Sequence, residues 1–463
     1  MENKYKLLIK NTGYLTISNF ASKILVFLLV PLYTSYLTTE EYGKYDAIVI
    51  TVQIIAPLVI ANISEGVMRF LLDDNNDEDV ITIGNRFILM GIFIMGVLFT
   101  INRLTNAVSF INGYEIYGFL YSAFYITNNY LTQFAKGQNR VRLMAITGAL
   151  STVVMLIGNI AFLILFKMGI IGFLLANIMS LAIPTLVYLM CLKPWNANEK
   201  SPEYYTKRRE MLNYSFPLVF NAIGWTINSS LDKYCVIYFY GVAASGLLAI
   251  AYKIPTILSV LYSVFTQAWQ ISAVQEYGKD DSIAFYSGIV LVTNAIGCMG
   301  CSALLLFNRI LAGFLFSNEF YQAWQYVPFL LLSVLLNQTA GVIGPILSAK
   351  KESKAMAIAS VAGAISNLFF NIILIKIMGI QGAALATALS SFIILFIRWW
   401  HARDLLNSNI YLTICSSWIV LSANAVFEIA SSSYIFHVAA FMIITAINFK
   451  QIKKAIKKVF HSK

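Results

Sequence analysis

Apolar runs of roughly twenty residues, parted by short polar turns, recur along the whole of this 463-residue chain. That length suits a helix crossing about 30 Å of hydrocarbon, and is about twice what a barrel strand needs. Hydrophobic residues make up 59% of the chain and charged residues 12%, with a mean hydropathy of +0.71. One soluble core could not hide that much apolar surface, so lipid must be the solvent for most of it. The expected fold class is an all-α polytopic membrane protein.

The pattern predicts fourteen transmembrane helices, near 12–37, 45–70, 84–102, 114–135, 143–166, 169–192, 212–240, 244–274, 283–307, 321–348, 355–377, 380–400, 411–429 and 433–449. Lys and Arg set the orientation. With the N-terminus in the cytoplasm, the inner side collects Lys4, Lys6, Lys10, Lys136, Arg140, Arg142, the basic linker 193–210, Lys350, Lys351, Lys354 and the tail "KQIKKAIKKVFHSK". The outer side receives only Lys44, Arg103, Lys167, Arg309 and Lys376. Both termini are therefore expected inside. "MENKYK" leads into an uncleaved first span with no small-residue cleavage site. The acidic run "DDNNDED" (73–79) reads as a solvated turn on the inner side.

Several function classes fall away. The net charge of +11 sits in loops between spans, so no nucleic-acid partner is expected. The cysteines at 191, 235, 298, 301 and 415 lie in apolar stretches and read as small packing residues. His401, His437 and His461 are scattered, so neither a metal site nor a cofactor is expected. No connection is long enough to house a soluble domain, and no Walker motif is present.

The chain partly repeats itself. "KMGIIGFLLANIMS" (167–180) answers "IMGIQGAALATALS" (377–390), "LMAI" (143–146) echoes "AMAI" (355–358), and Asn159 and Asn371 take similar places. This predicts two six-helix lobes, 1–205 and 206–405, related by a parallel pseudo-two-fold repeat. Residues 406–463 add two transmembrane helices and a basic cytoplasmic tail. The shared small residues suit close helix packing.

Charges inside the spans are the candidate functional residues. Lys23 lies about midway along the first span, too far from either end to snorkel to water. A lysine there costs roughly 2.5–3.5 kcal/mol on insertion scales, so it should face water or an anion. Thr12, Thr16, Asn19 and Lys23 share one helical face. Asn221, Trp225, Asn228 and Asp232 share another in the seventh span, with Lys233 adjoining. Lys253 lies in the eighth span, and Asn62, Glu65 and Arg69 in the second. Glu65 and Arg69, four residues apart, read as a rim or gating ion pair. Asp232–Lys233 is either an inter-helix clamp or part of a ligand site. Asn128, Gln267, Trp269 and Asn337 offer amide and aromatic partners for sugar hydroxyls, though core packing is the commoner role of such side chains.

The motifs "TTEEYGKYDAI", "SEGVMRF", "SSLDKYCVIYFYG", "GLLAIAYKI", "FTQAWQ" and "MGIQGAALATALS", in this order and spacing, resemble the polysaccharide transporter family, including the Wzx-type flippases. That family lies within the multidrug/oligosaccharidyl-lipid/polysaccharide exporter superfamily. The resemblance covers most of the first 400 residues. It implies that helices one, two, seven and eight line a central cavity. It also implies a flippase in the bacterial cytoplasmic membrane, not an enzyme, that moves a polyprenyl-pyrophosphate-linked oligosaccharide of O-antigen, capsule or exopolysaccharide assembly. Lys23, Lys253 and Lys233 would hold its phosphates, with Asn19, Asn228 and Asp232 beside them. A polysaccharide polymerase and glycosyltransferases would be partners in the pathway. The rival expectations are a cation-coupled multidrug exporter of the same superfamily, which needs intramembrane carboxylates, and a membrane enzyme of polysaccharide assembly.

Overall fold

A computed structural model describes residues 25, 27–74, 77–196, 201–430 and 433–460. It is helical throughout, with no strand among the described residues. The helices are α1 (Val30–Tyr36), α2 (Thr39–Val59), α3 (Ile63–Leu71), α4 (Glu78–Thr105), α5 (Glu115–Gly137), α6 (Val141–Asn159), α7 (Gly169–Leu192) and α8 (Tyr204–Tyr240). There follow α9 (Val242–Ala251), α10 (Lys253–Gln275), α11 (Ser282–Leu306), α12 (Asn308–Leu315), α13 (Val327–Ala349), α14 (Ser353–Met378), α15 (Ile380–Ala402), α16 (Ile410–Ala430) and α17 (Tyr434–Phe460). Nine helices among the described residues are long and apolar enough to cross a membrane, or ten if α9 and α10 count as one bent span. The protein is a multi-pass membrane protein, and helices occupy the fourteen expected positions so far as they are described.

Two expected spans, the second and the eighth, are each broken in two. In the second, α2 starts on a capping box, Thr38 with Glu41, and ends two residues after Pro57. Ala61 and Asn62 then turn left-handed, with φ of 50° and 49°. The Asn62 amide is satisfied by the Pro57 carbonyl at 2.8 Å. A mid-helix proline removes a ladder donor, and asparagine tolerates the left-handed region better than most residues. In the eighth, the axes of α9 and α10 differ by 44° across Tyr252. Pro255, in the first turn of α10, cannot donate to the Ala251 carbonyl, which weakens the ladder there.

The chain divides into two compact units, one ending at Ser230 and the other beginning at Leu231. The boundary falls within α8. The first unit centres on a buried cluster that includes Ile63, Val67, Ile83, Tyr130, Leu131 and Phe134. In the second, α13 is the most buried of the candidate spans, with 72% of its apolar stretch inside the protein. Trp269 and Tyr286 pack near it, and the Trp269 indole donates to the Val342 carbonyl at 2.7 Å.

The repeated sequence has a local structural counterpart. The glycines opening α7 and preceding α15, Gly169 and Gly379, both have positive φ, 56° and 63°. A Cβ added at Gly382 would collide with the Leu374 carbonyl, and one at Gly172 would sit 2.9 Å from the Phe162 Cβ. Each glycine pair therefore shapes a tight helical hairpin, α6 to α7 and α14 to α15. Asn159 and Asn371 are fully buried, and each donates back to the carbonyl four residues earlier.

The two C-terminal helices belong to the second unit through polar contacts. Trp418 donates to Asn294 of α11 at 2.8 Å, and Asn448 to Ser417 at 3.0 Å. Near the α16–α17 turn, Glu428 and His437 are buried, with Oε2 and Nε2 2.6 Å apart. The carboxylate attracts the imidazole when that ring is protonated. Asn308 and Arg309 of α12 reach the other carboxylate oxygen at 3.2 and 3.4 Å, and the Arg309 guanidinium stacks on Trp324. Such groups in a lipid-bounded bundle hold helices that hydrophobicity alone would not. Glu428→Ala removes the buried carboxylate that Asn308, Arg309 and His437 share, a change worth about 3–5 kcal/mol for a broken buried pair. Thermal unfolding in detergent should show a clearly lowered midpoint. A midpoint equal to the unmodified protein's would mean the cluster does not anchor the hairpin.

Candidate functional site

The linker before α8 docks on the start of α4. Asp77 caps α4 by accepting from the Val80 amide at 3.2 Å, and takes Lys207 Nζ at 2.6 Å. Asp79, 3% exposed, accepts the Ser201 amide at 3.1 Å and its hydroxyl in a short bond. The end of the acidic run is therefore a structural anchor and not the solvated turn expected from its composition. Its carboxylates face a basic linker more than a hundred residues away, which local sequence does not reveal. The hydrogen bond to Asp77, with the charges of Asp77 and Asp79, raises the Lys207 pKa above its ordinary value against the effect of partial burial. A raised lysine pKa adds stability at every pH below the unfolded value, and that contribution fades as pH climbs through the folded value. The stability lost in Lys207→Met should thus be constant from about pH 6 to about pH 9 and shrink only above about pH 10.4. A gap already closing near neutral pH would contradict this.

Glu65 and Arg69 share α3 but do not pair. Glu65 accepts from Gln133 Nε2 of α5 at 2.6 Å, whereas Arg69 bonds Asp73 at 2.7 Å, with both ends exposed. Arg69 has acids four residues away on either side. It takes the one nearer water, where no desolvation opposes the pair.

In the second unit the structure brings Asp232 and Lys233 to one residue that residue type and spacing do not single out, Tyr252, which Lys253 follows in sequence. Asp232 is 3% exposed and accepts the Tyr252 hydroxyl at 2.5 Å. Its other oxygen accepts the Lys233 amide at 2.9 Å. The Lys233 ammonium lies 5.8 Å from the Tyr252 ring centroid, within cation–π range. Lys253 is the first residue of α10, immediately after the bend. The break of the eighth span thus brings a carboxylate on α8 against a tyrosine hydroxyl, beside the Lys233 ammonium. Lys23 and Asn19 lie outside the described residues, as do the side chains of Asn228 and Gln267.

Other expected contacts are engaged in packing. Asn128 donates to Thr185 at 3.2 Å, Asn337 to Ser391 at 2.7 Å, and Trp269 is buried. One further intramembrane cation is absent from the sequence expectations. Arg398 of α15 donates to the Ala340 carbonyl of α13 at 2.9 Å and has no carboxylate within 4 Å among the described residues. The rule that picks out Lys23, a lone cation in an apolar run, would have found it. Together Asp232, Lys233 and Tyr252 can offer charge and hydrogen bonds to a polar ligand. Tyr252→Phe removes the donor to buried Asp232, a charged hydrogen bond worth roughly 1.5–3 kcal/mol. Detergent melts should register that loss, and an unchanged melt would show that Tyr252 does not hold the carboxylate.

The chain is a polytopic helical bundle with polar and charged residues at broken spans, and known structures share its fold. The chain superposes on "Lipid II flippase MurJ, inward closed conformation" with a TM-score of 0.70 at 14% identity, covering 96% of this chain and 99% of that one. It superposes on an inward-facing multidrug resistance MATE family transporter of the MOP superfamily with a TM-score of 0.66 at 13% identity, covering 85% and 95%.

The chain belongs to the polysaccharide biosynthesis protein family, whose family model matches residues 8–270. It is 30% identical over 200 residues, 41% of each chain, to the "Probable low-salt glycan biosynthesis flippase Agl15" of Haloferax volcanii. It is 22% identical over 276 residues to an uncharacterized membrane protein of Methanocaldococcus jannaschii, covering 57% of this chain and 52% of that one. The matches thus span about half the length of these curated relatives or less.

Proposed function

We propose that this chain is a flippase that carries a polyprenyl-pyrophosphate-linked oligosaccharide across the cytoplasmic membrane by alternating access. The sugar-pyrophosphate head is handled inside the protein while the prenyl tail stays in lipid, and no bond is made or broken. The observation that carries this reading is the pair of basic residues near the bend of the eighth span: Lys233 of α8, whose ammonium lies 5.8 Å from the Tyr252 ring centroid, and Lys253, the residue after Tyr252. An ammonium acts as a point charge for phosphate, and intramembrane basic residues persist where they meet an anion or water. Lys23 is assigned to the same phosphates. Family membership and the flippase named among the relatives support a role in glycan assembly. Both termini are assigned to the cytoplasm, and glycosyltransferases and a polymerase to the steps before and after. The sugar served is that of an O-antigen, a capsule or an exopolysaccharide.

The multidrug alternative draws on the shared fold and on a buried acid. It needs a carboxylate open to a cation, and Asp232 already holds the Tyr252 hydroxyl. One named relative and both structural neighbours carry the names of flippases or transporters, which favours transport over an enzymatic step.

The test is translocation of a fluorescent polyprenyl-pyrophosphate oligosaccharide in proteoliposomes. Lys253→Ala and Lys23→Ala should each cut the rate roughly ten- to a hundredfold, the value of one charge-assisted bond. Lys→Arg at the same sites should restore part of it. Alanine variants working at the normal rate would remove the phosphate role from these lysines. An unmodified protein that moves no lipid-linked sugar, yet confers drug resistance in cells, would decide for the alternative.

A further inference from the structure

An apolar trough of about 750 Å³ runs between α4 and α5 in the first unit. Along α4 it extends from Leu89 to Arg103, roughly 21 Å of helix rise. One leaflet's share of the hydrocarbon core is roughly 15 Å, so the trough covers that depth with a margin at its polar end. Its walls are unpaired within the protein: Leu89 is 67% exposed and Phe93 73%. Its floor is shaped by close approach. A Cβ at Gly118 would strike the Phe99 ring, and one at Gly96 would sit 3.2 Å from Phe119.

The mouth of the trough carries two opposite charges, Arg103 in the last turn of α4 and Glu115 in the first turn of α5. They do not pair with each other. Arg103 meets no carboxylate within 4 Å among the described residues, and Glu115 accepts only the Gly113 amide, at 3.0 Å. The loop between them is held by buried Asn102, which takes the Val108 amide at 2.8 Å and donates to Asn112 at 3.1 Å. The path of the loop that joins the two helix ends is therefore fixed. Helix-end electrostatics alone favour a cation at the end of α4 and an anion at the start of α5. That does not require both to open on one apolar trough, nor keep them apart.

We propose that this trough binds a zwitterionic phospholipid as a specific ligand, an acyl chain lying along α4 and α5, the phosphate on Arg103 and the headgroup amine on Glu115. The two charges match those of the headgroup in sign. The guanidinium is the forked donor that suits phosphate, and the carboxylate accepts from an ammonium. The inference rests on the membrane-spanning fold and not on the transport reading.

The test is native mass spectrometry of the purified full-length protein, offered phosphatidylethanolamine and phosphatidylglycerol of equal chain length. The unmodified protein should retain one phosphatidylethanolamine in preference to phosphatidylglycerol. Arg103→Gln should weaken retention of both roughly tenfold, as expected for one charged hydrogen bond. Glu115→Gln should turn the preference toward phosphatidylglycerol, since it removes both the amine's partner and the repulsion of an anionic headgroup. Lys376→Gln removes a cation from a separate apolar notch, beside Phe239, and should leave the ratio unchanged. Equal retention of the two lipids by the unmodified protein, or a Glu115→Gln ratio no different from it, would overturn the proposal. So would a Lys376→Gln shift as large as that of Glu115→Gln.

Discussion

In hydrocarbon there is no water to accept a backbone N–H or donate to a carbonyl, so each peptide group must find its partner within the protein. The apolar runs have no choice but to be helices, and any interruption must be repaired locally. The break between α2 and α3 shows the repair. Pro57 ends the ladder, and its carbonyl takes the Asn62 amide instead. At Tyr252 the repair is partial: the Tyr252 amide still reaches the Leu248 carbonyl at 3.2 Å, while Pro255 has nothing to give. A bend results. Broken spans are thus the places where a polar side chain can sit against backbone inside the membrane without leaving it unpaired.

The same scarcity of water explains what joins the helices. Lipid tails are as apolar as leucine, so burying leucine between helices gains little, and small residues and hydrogen bonds do the joining. Tyr45 reaches Asn177 of α7 at 2.9 Å, and Asn367 reaches Ser390 of α15 at 3.2 Å. The two halves therefore use asparagine in comparable roles, on hairpins whose glycines set the closest approach. The C-terminal pair adds Glu428, His437 and Arg309 to its own asparagine contacts.

Much of this is legible in one dimension because the membrane imposes one dimension. The length of an apolar run fixes a span, and "MGIIG" against "MGIQG" fixes a matched hairpin. What cannot be read are choices among partners. Glu65 and Arg69 stand at the right spacing to pair, but Asp73 stands at the same spacing from Arg69, and Gln133 lies 68 residues from Glu65. Periodicity places side chains on a face without saying which facing group they meet. Tyr252 escapes such a reading because an aromatic in a span looks like any other, and only its hydroxyl on Asp232 sets it apart. "DDNNDED" looks solvated because nothing nearby in sequence announces Ser201 and Lys207.

Charged residues in the described spans sort by what surrounds them. Arg309 has a carboxylate and an indole face, and lies where two extra helices must be held. Arg398 has a single backbone carbonyl, on the most buried helix of its unit. Lys233 and Lys253 stand where a span bends. A cation whose carboxylate is supplied by the fold has its electrostatic work finished on folding, and removing either partner costs stability. A cation placed at a break in a helix, with backbone that bends there, keeps interactions that a change in the bend would alter. This is the physical reason for ascribing anchorage to Glu428 and Arg309, and for proposing that Lys233 and Lys253 handle cargo. Both clusters contain a buried acid and basic groups, and only the surrounding backbone separates their roles.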